Sequence, residues 1–128
     1  MNEGLKAGMQ HQESMLVEHK HTAAALGSGM LEVFATPAMI AFMEYTSLQL
    51  AAKHLDEGES TVGTEVCIRH LRATPAGQKI SCTATLSKKE GRSLSFSVIA
   101  SDDKGVIGEG THSRFIIDEA RFMKKVNS

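Results

Sequence analysis

A long apolar segment, residues 36–54, constrains this chain more than any other part of its sequence. It opens with Thr36 and Pro37, a pair typical of helix starts, because threonine caps free backbone N–H groups and proline suits the first helical turn. Ala, Met, Ile, Phe and Leu then occupy nearly every side of the helix. A surface helix carries a polar stripe, and this one shows little polarity before Gln49 and Lys53. We therefore predict that it is buried at the centre of the domain.

Glu44 is the only charged residue between Pro37 and Ala52. An ionised carboxylate in an apolar setting has to be paired, hydrogen-bonded or shifted toward its neutral form. Two hypotheses follow for this residue. It is either a structural ion-pair partner of an arginine such as Arg69 or Arg72, or a catalytic carboxylate.

The segment after the helix alternates as an antiparallel sheet does, with strands predicted at 61–72, 79–86, 93–100 and 106–117. In the first of these strands, alternation places His70 on the face opposite Gly63. The second and third strands have clear inward faces, formed by Ile80, Cys82, Ala84, Leu86, Leu94, Phe96, Val98 and Ala100.

The segments around the helix are less regular. Residues 1–13 are polar and predicted to be frayed at least in part, 14–20 form a short strand, and 22–29 form a loop or helical turn. Gly58 is predicted to cap the end of the helix, and 122–126 form a terminal turn.

The totals limit what the chain can do. Its 128 residues are predicted to form a single domain, 1–128, and a net charge of −1 gives no sign of a nucleic-acid or membrane partner. Cys67 and Cys82 lie in apolar runs without metal-ligand spacing, so we predict buried thiols rather than a disulfide. No signal peptide or membrane span is apparent, and we predict a cytoplasmic protein without metal or cofactor.

Three residues carry candidate chemistry. Thr36 either caps the helix or places a hydroxyl beside free backbone donors, where a negative charge such as a thioester oxyanion is stabilised. Glu44 follows it by eight residues, a little more than two helical turns. His70 lies on the same predicted strand face as Ile68. It is either a core histidine or the partner of Glu44 in a general base.

Four sequence features, two of which contain these residues, resemble those of a known family. The features are Ala35–Pro37 with Met43–Tyr45, Val62–Thr64 with Ile68–His70, Thr74–Gly77, and Gly108–Phe115. In this order and spacing they resemble the hotdog-fold acyl-CoA thioesterases, most closely the group containing fluoroacetyl-CoA thioesterase. The similarity covers roughly residues 15–118.

The resemblance implies an α+β hotdog fold, in which an antiparallel sheet wraps a long central helix. It also implies a homodimer, with a dimer of dimers left open, and active sites at the dimer interface that bind the pantetheine arm of coenzyme A. By the same resemblance Thr36, Glu44 and His70 are the catalytic residues. Gly63 would lie close to the acyl group and Arg114 near the coenzyme A end, both binding substrate.

The function implied is hydrolysis of a small or medium acyl-CoA to free acid and coenzyme A. Glu44 would act as a nucleophile, or with His70 as a base for water. The alternative is a non-catalytic acyl-CoA-binding module with Glu44 and His70 as a structural pair. A hydratase is disfavoured, because no Asp–His pair flanks the helix start. Fluoroacetyl specificity is also disfavoured, because residues 27–31 lack the phenylalanines of the family's lid.

Overall fold

A computed structural model describes residues 4–128 of the chain as five strands and three helices. The elements are β1 (Gln10–Leu16), α1 (Ala23–Leu26), α2 (Thr36–Ala52), β2 (Glu59–His70), β3 (Lys79–Glu90), β4 (Ser93–Asp102), β5 (Gly105–Asp118) and α3 (Glu119–Val126). A 3₁₀ turn at His19–His21 lies between β1 and α1.

The five strands form one antiparallel sheet in the order β1-β3-β4-β5-β2. Tight hairpins connect β3, β4 and β5, whereas β1 and β2 are the two edges. Helix α2 packs across one face and contacts all five strands. The predicted α+β architecture, with a long helix against an antiparallel sheet, is confirmed.

The core forms where α2 meets the middle strands. All eight residues predicted to point inward from β3 and β4 are buried, none more than 1% exposed. They pack against apolar side chains of the helix, including Met39, Met43 and Leu50. Full burial of one such side chain contributes about 1.5–3 kcal/mol to folding, so this interface fixes α2 on the sheet.

The N-terminal predictions need correction. The first strand begins at Gln10 rather than 14, and Leu5 is part of the core at 3% exposure. Residues 1–3 of the segment predicted to fray lie outside the described residues. The predicted strand, 14–20, overlaps β1 only at 14–16. The polar part, 10–13, was not predicted as strand, because in an edge strand paired only with β3 polar side chains can face solvent.

Helix α2 is buried on one side only, contrary to the prediction. Tyr45 is 47% exposed and the Glu44 side chain is 40% exposed. The helix ends at Ala52, and Gly58, with φ of +84°, lies in the turn that leads into β2. The glycine therefore serves a turn rather than the helix end. At the C-terminus, the predicted turn is the last part of α3.

A β-bulge changes which residues of β2 face the helix. The register with β5 shifts between Gly63 and Glu65, leaving Thr64 as an extra residue. One extra residue reverses the facing of every position beyond it. Gly63 and His70 consequently both face the helix, although strict alternation predicts opposite faces.

The two cysteines differ in environment. Cys82 is buried in the core, but Cys67 is exposed on the edge strand β2, where burial was predicted. Burial raises the pKa of the Cys82 thiol. Separately, none of the helices described for residues 4–128 is long and apolar enough to cross a membrane.

Candidate active site

The first part of the site lies at the start of α2. The cap position is Ala35, which makes no side-chain capping bond, and Thr36 is the first helical residue. Its hydroxyl Oγ1 lies 2.8 Å from Nδ1 of His70. The capping interpretation of Thr36 is therefore wrong, and its hydroxyl is hydrogen-bonded to a histidine instead.

His70 is the last residue of β2 and points toward the helix. The rings of His70 and Phe34 pack edge to face, with centroids 6.5 Å apart and ring planes at 79°. Burial lowers the pKa of His70, and interaction with the Arg72 backbone opposes this only in part. The ring is accordingly neutral near pH 7. Its Nδ1 and the Thr36 hydroxyl share a hydrogen bond whose direction depends on the tautomer of the ring.

A cleft of about 330 Å³ opens beside this pair. Its lining includes Ser28, Phe34, Thr36, His70, Leu71 and Arg72. The Nε2 atom of His70 is buried and has no hydrogen-bond partner among residues 4–128. A neutral imidazole, a hydroxyl and a helix N-terminus thus meet at one cleft, where developing negative charge is favoured.

The second part of the site lies two turns further along α2, around Gly63. A Cβ atom at Gly63 would lie 2.8 Å from Oε2 of Glu44. The same position is 3.3 Å from Cε1 of His112 and 3.4 Å from Nη1 of Arg114. The missing side chain therefore leaves room at the point where a carboxylate, an imidazole and a guanidinium converge.

Arg114 is inward-facing on β5 and only 7% exposed. Its Nε donates to Oγ1 of Thr61 at 2.7 Å, its Nη2 to the Thr61 carbonyl at 3.0 Å, and its Nη1 lies 3.1 Å from Nε2 of His112. Burial lowers the pKa of the guanidinium, whereas the Glu44 carboxylate raises it. Arginine remains charged throughout the physiological range, so a buried cation faces Gly63.

Within one chain the structure does not assemble the predicted triad. Thr36 and Glu44 are eight residues apart on one helix, about 12 Å along its axis. Gly63, beside Glu44, and His70 are seven residues apart on β2, roughly 20 Å. His70 pairs with Thr36, so the predicted Glu44–His70 pair does not form in the single chain. Glu44 instead lies 4.0 Å from His112, between Oε2 and Nε2.

The alternative prediction, a structural ion pair between Glu44 and Arg69 or Arg72, is also wrong. Arg72 binds Asp102, with 2.6 Å between Nη2 and Oδ1. Glu44 lies beside His112 and Arg114. No group of three or more His, Cys, Asp or Glu among residues 4–128 could hold a metal ion.

Comparison with known proteins shows to which family the chain belongs. A model of the fluoroacetyl-CoA-specific thioesterase family matches residues 17–120. The fluoroacetyl-CoA thioesterase of Streptantibioticus cattleyicolor is 35% identical over 98% of this chain and 95% of its own. The chain belongs to the fluoroacetyl-CoA-specific thioesterase family.

Solved structures agree with this membership. A variant of the fluoroacetyl-CoA thioesterase in complex with acetyl-CoA superposes with a TM-score of 0.92 at 34% identity, covering 96% of this chain and 97% of that one. A hot-dog-like protein from Thermanaerovibrio acidaminovorans gives a TM-score of 0.89 at 22% identity, covering 98% and 93%. This second likeness concerns the fold alone, and the predicted hotdog fold is confirmed.

One member of the site was missed by the sequence analysis. His112 is 2% exposed and stacks on Phe96 at 6.3 Å between centroids. A signal was present, because His112 and Arg114 are two polar residues on the inward face of β5, two positions apart. In this member of the fluoroacetyl-CoA-specific thioesterase family, both line the space beside Gly63.

Proposed function

We propose that this protein is a thioester hydrolase that cleaves small or medium acyl-CoA substrates to the free acid and coenzyme A. The observation that carries the proposal is the 2.8 Å bond between Thr36 and a neutral, half-buried His70, at a helix N-terminus open to a cleft. Membership of a family of thioester hydrolases and the resemblance to an enzyme that binds acetyl-CoA support it.

In the proposed reaction an oxygen nucleophile adds to the thioester carbonyl, and the coenzyme A thiolate leaves. Thr36 and the helix N-terminus stabilise the oxyanion, and neutral His70 accepts the proton that the water loses and passes it to the coenzyme A sulfur. Glu44 is either the nucleophile, forming an anhydride that water then hydrolyses, or, together with His70, the base that activates water directly. Both routes consume one water and release one acid and one thiol.

We place both Gly63 and Arg114 at the acyl end of the substrate. The resemblance assigns Arg114 to the coenzyme A end, but its Nη1 atom shares the space beside Gly63. Met30 and Leu31, in the lid segment before α2, are 94% and 70% exposed, and residues 27–31 include no aromatic side chain. An uncovered entrance supports a broader acyl range than fluoroacetyl alone.

We further propose a homodimer formed through β2, with each active site shared between two chains. The exposed stretch of this edge strand, 63–67, and the uncovered side of α2 around Tyr45 support it. An unpaired edge strand presents free backbone N–H and C=O groups with which a strand of a second chain can pair. Antiparallel pairing of two β2 strands brings Glu44 of the partner subunit toward Thr36 and His70. The single chain holds these groups apart, so the partner completes the site.

Mixing two inactive variants tests this sharing. Thr36→Ala and Glu44→Ala homodimers are each expected to be inactive, because every site lacks one group. After the chains are exchanged at equal amounts, a shared site predicts recovery of about a quarter of native activity, since half the dimers are mixed and each has one intact site. The measurement is acyl-CoA hydrolysis, with light scattering to confirm dimers.

The control for the mixing experiment is a single chain type carrying both substitutions, mixed with either parent, which leaves no intact site. No recovery from Thr36→Ala plus Glu44→Ala dimers that demonstrably exchange would contradict a shared site. A monomer at micromolar concentration would contradict the dimer itself.

Hydrolysis of an acyl-CoA panel by the native protein tests the function. The panel spans acetyl-CoA, fluoroacetyl-CoA and medium straight-chain acyl-CoAs, with free thiol release as the readout. We expect turnover of several short acyl groups without exclusive preference for fluoroacetyl-CoA. Tight binding of the panel without thiol release would instead indicate a non-catalytic binding module.

We also propose that the chain acts as one domain in the cytoplasm. One sheet and one continuous core support a single unit across the described residues. Two free thiols, Cys67 and Cys82, are consistent with a reducing compartment.

A further inference from the structure

The hydrogen bonds around Arg114 leave its guanidinium little freedom. Thr61 accepts from Nε through its hydroxyl and from Nη2 through its carbonyl. The third contact is between Nη1 of Arg114 and His112. It fixes the orientation of Nη1, the guanidinium nitrogen that faces Gly63. A buried cation held by three bonds costs free energy to desolvate, so a functional reason for this arrangement is needed.

The protonation of His112 follows from its partners. Its Nδ1 lies 2.8 Å from the Glu65 carbonyl, which can only accept, so the proton is on Nδ1. Its Nε2 faces Nη1 of Arg114, which can only donate, so Nε2 must carry a lone pair. Both contacts are satisfied by one form alone, the neutral ring protonated at Nδ1.

The electrostatics favour the same form. Burial lowers the pKa of His112 and the Arg114 charge lowers it further, whereas the Glu65 backbone and the Glu44 carboxylate oppose them. Phe96 stacks on the ring and adds no charge. A doubly protonated ring would also place a second cation 3.1 Å from the guanidinium.

We propose that His112 is a positioning residue: with Thr61, it holds the Arg114 guanidinium over Gly63 and keeps it from closing onto Glu44. Arg114 then presents a remaining Nη1–H group to the acyl portion of the substrate, and Glu44 stays free for its catalytic role. This inference rests on the proposed function.

The principal test compares two His112 variants. His112→Phe keeps the ring stacked on Phe96 but removes both hydrogen bonds, and it is expected to lower kcat by about 10- to 100-fold, the scale of misplacing one group in a site. KM should change less, because the proposed role of His112 concerns the acyl end of the substrate rather than its coenzyme A portion. His112→Gln retains one donor and one acceptor and is expected to stay within about threefold of native kcat.

A double variant shows whether His112 acts through Arg114. In an Arg114→Met background, His112→Phe should cause no further loss, because residues in one network are non-additive. NMR of the guanidinium N–H groups gives a readout independent of turnover. Their slowly exchanging signals should be present in the native protein and in His112→Gln, and lost in His112→Phe.

The matched control is His11→Phe on β1, at the far edge of the sheet. The His11 ring also contacts two side chains, Glu13 at 2.6 Å and Lys53 at 2.7 Å. Its replacement therefore removes as many contacts as the His112 variant does, but far from the site. It should leave kcat native. If His112→Phe does not fold, Thr61→Val, which removes only the acceptor of Nε, is tested by the same double-variant and NMR comparisons.

The outcomes separate the inference from the function. Native kcat and unchanged guanidinium signals in folded His112→Phe, or losses additive with Arg114→Met, would overturn the positioning role. A native protein that hydrolyses no acyl-CoA would overturn the proposed function, whereas the NMR comparison would still decide whether His112 orders Arg114.

Discussion

Replacing His70 with alanine is expected to lower kcat for acyl-CoA hydrolysis by a factor on the order of 10² or more, the usual scale for losing a general acid–base group. The reason is its 2.8 Å contact with Thr36 at the cleft. Affinity for a non-hydrolysable acyl-CoA analogue should change less, because His70 acts on the reacting atoms. The measurement is kcat by thiol release, with analogue affinity by calorimetry.

The pH dependence of the native enzyme should report the same residue. A base works only when neutral, and burial lowers the pKa of His70 below its usual value near 6.5. Activity is therefore expected to be full at pH 7 and to fall as pH drops through the lowered pKa. The matched control is His19→Ala, at a histidine whose side chain is 72% exposed, which should keep native kcat and the native pH profile.

Several outcomes would contradict the role of His70. If His70→Ala keeps native turnover while Thr36→Ala and Glu44→Ala do not, His70 is a core histidine that merely packs against Phe34. An acid limb that survives unchanged in a weakly active His70→Ala protein would assign the titration to another group.

Replacing Glu44 with alanine is expected to abolish most activity while leaving the protein folded. Its side chain is 40% exposed and lies 4.0 Å from His112, so little buried surface is lost. The free energy of unfolding should change by no more than about 0.5 kcal/mol, as is usual for partly exposed positions. The measurements are kcat for thiol release and the midpoint of denaturant unfolding.

Glu13→Ala is the matched control for Glu44→Ala. Glu13 lies on β1, the edge strand across the sheet from β2. Its side chain is 28% exposed and contacts a histidine, His11. This variant should keep native kcat with a similarly small change in stability. A large loss of stability in Glu44→Ala with activity retained would show that Glu44 is structural after all.

The parts of the fold that follow from local periodicity could be predicted from the sequence. The apolar run predicted helix α2, and the alternation of β3 and β4 predicted both strands and their inward faces, since side-chain direction within a strand depends on residue spacing. The same reasoning identified Thr36, Glu44 and His70 as unusual. The residues alone left a structural and a catalytic alternative open for each, and the family resemblance assigned all three as catalytic.

What the sequence could not decide was how those residues meet. A single extra residue, Thr64, brings Gly63 and His70 to the same face of β2. Docking of α2 across the sheet then places Thr36 beside His70 and Glu44 beside Gly63. Bulges, edge strands and helix docking arise from pairing between distant segments, which the spacing of residues along one segment does not encode. Tertiary structure alone therefore separated the predicted triad into two clusters.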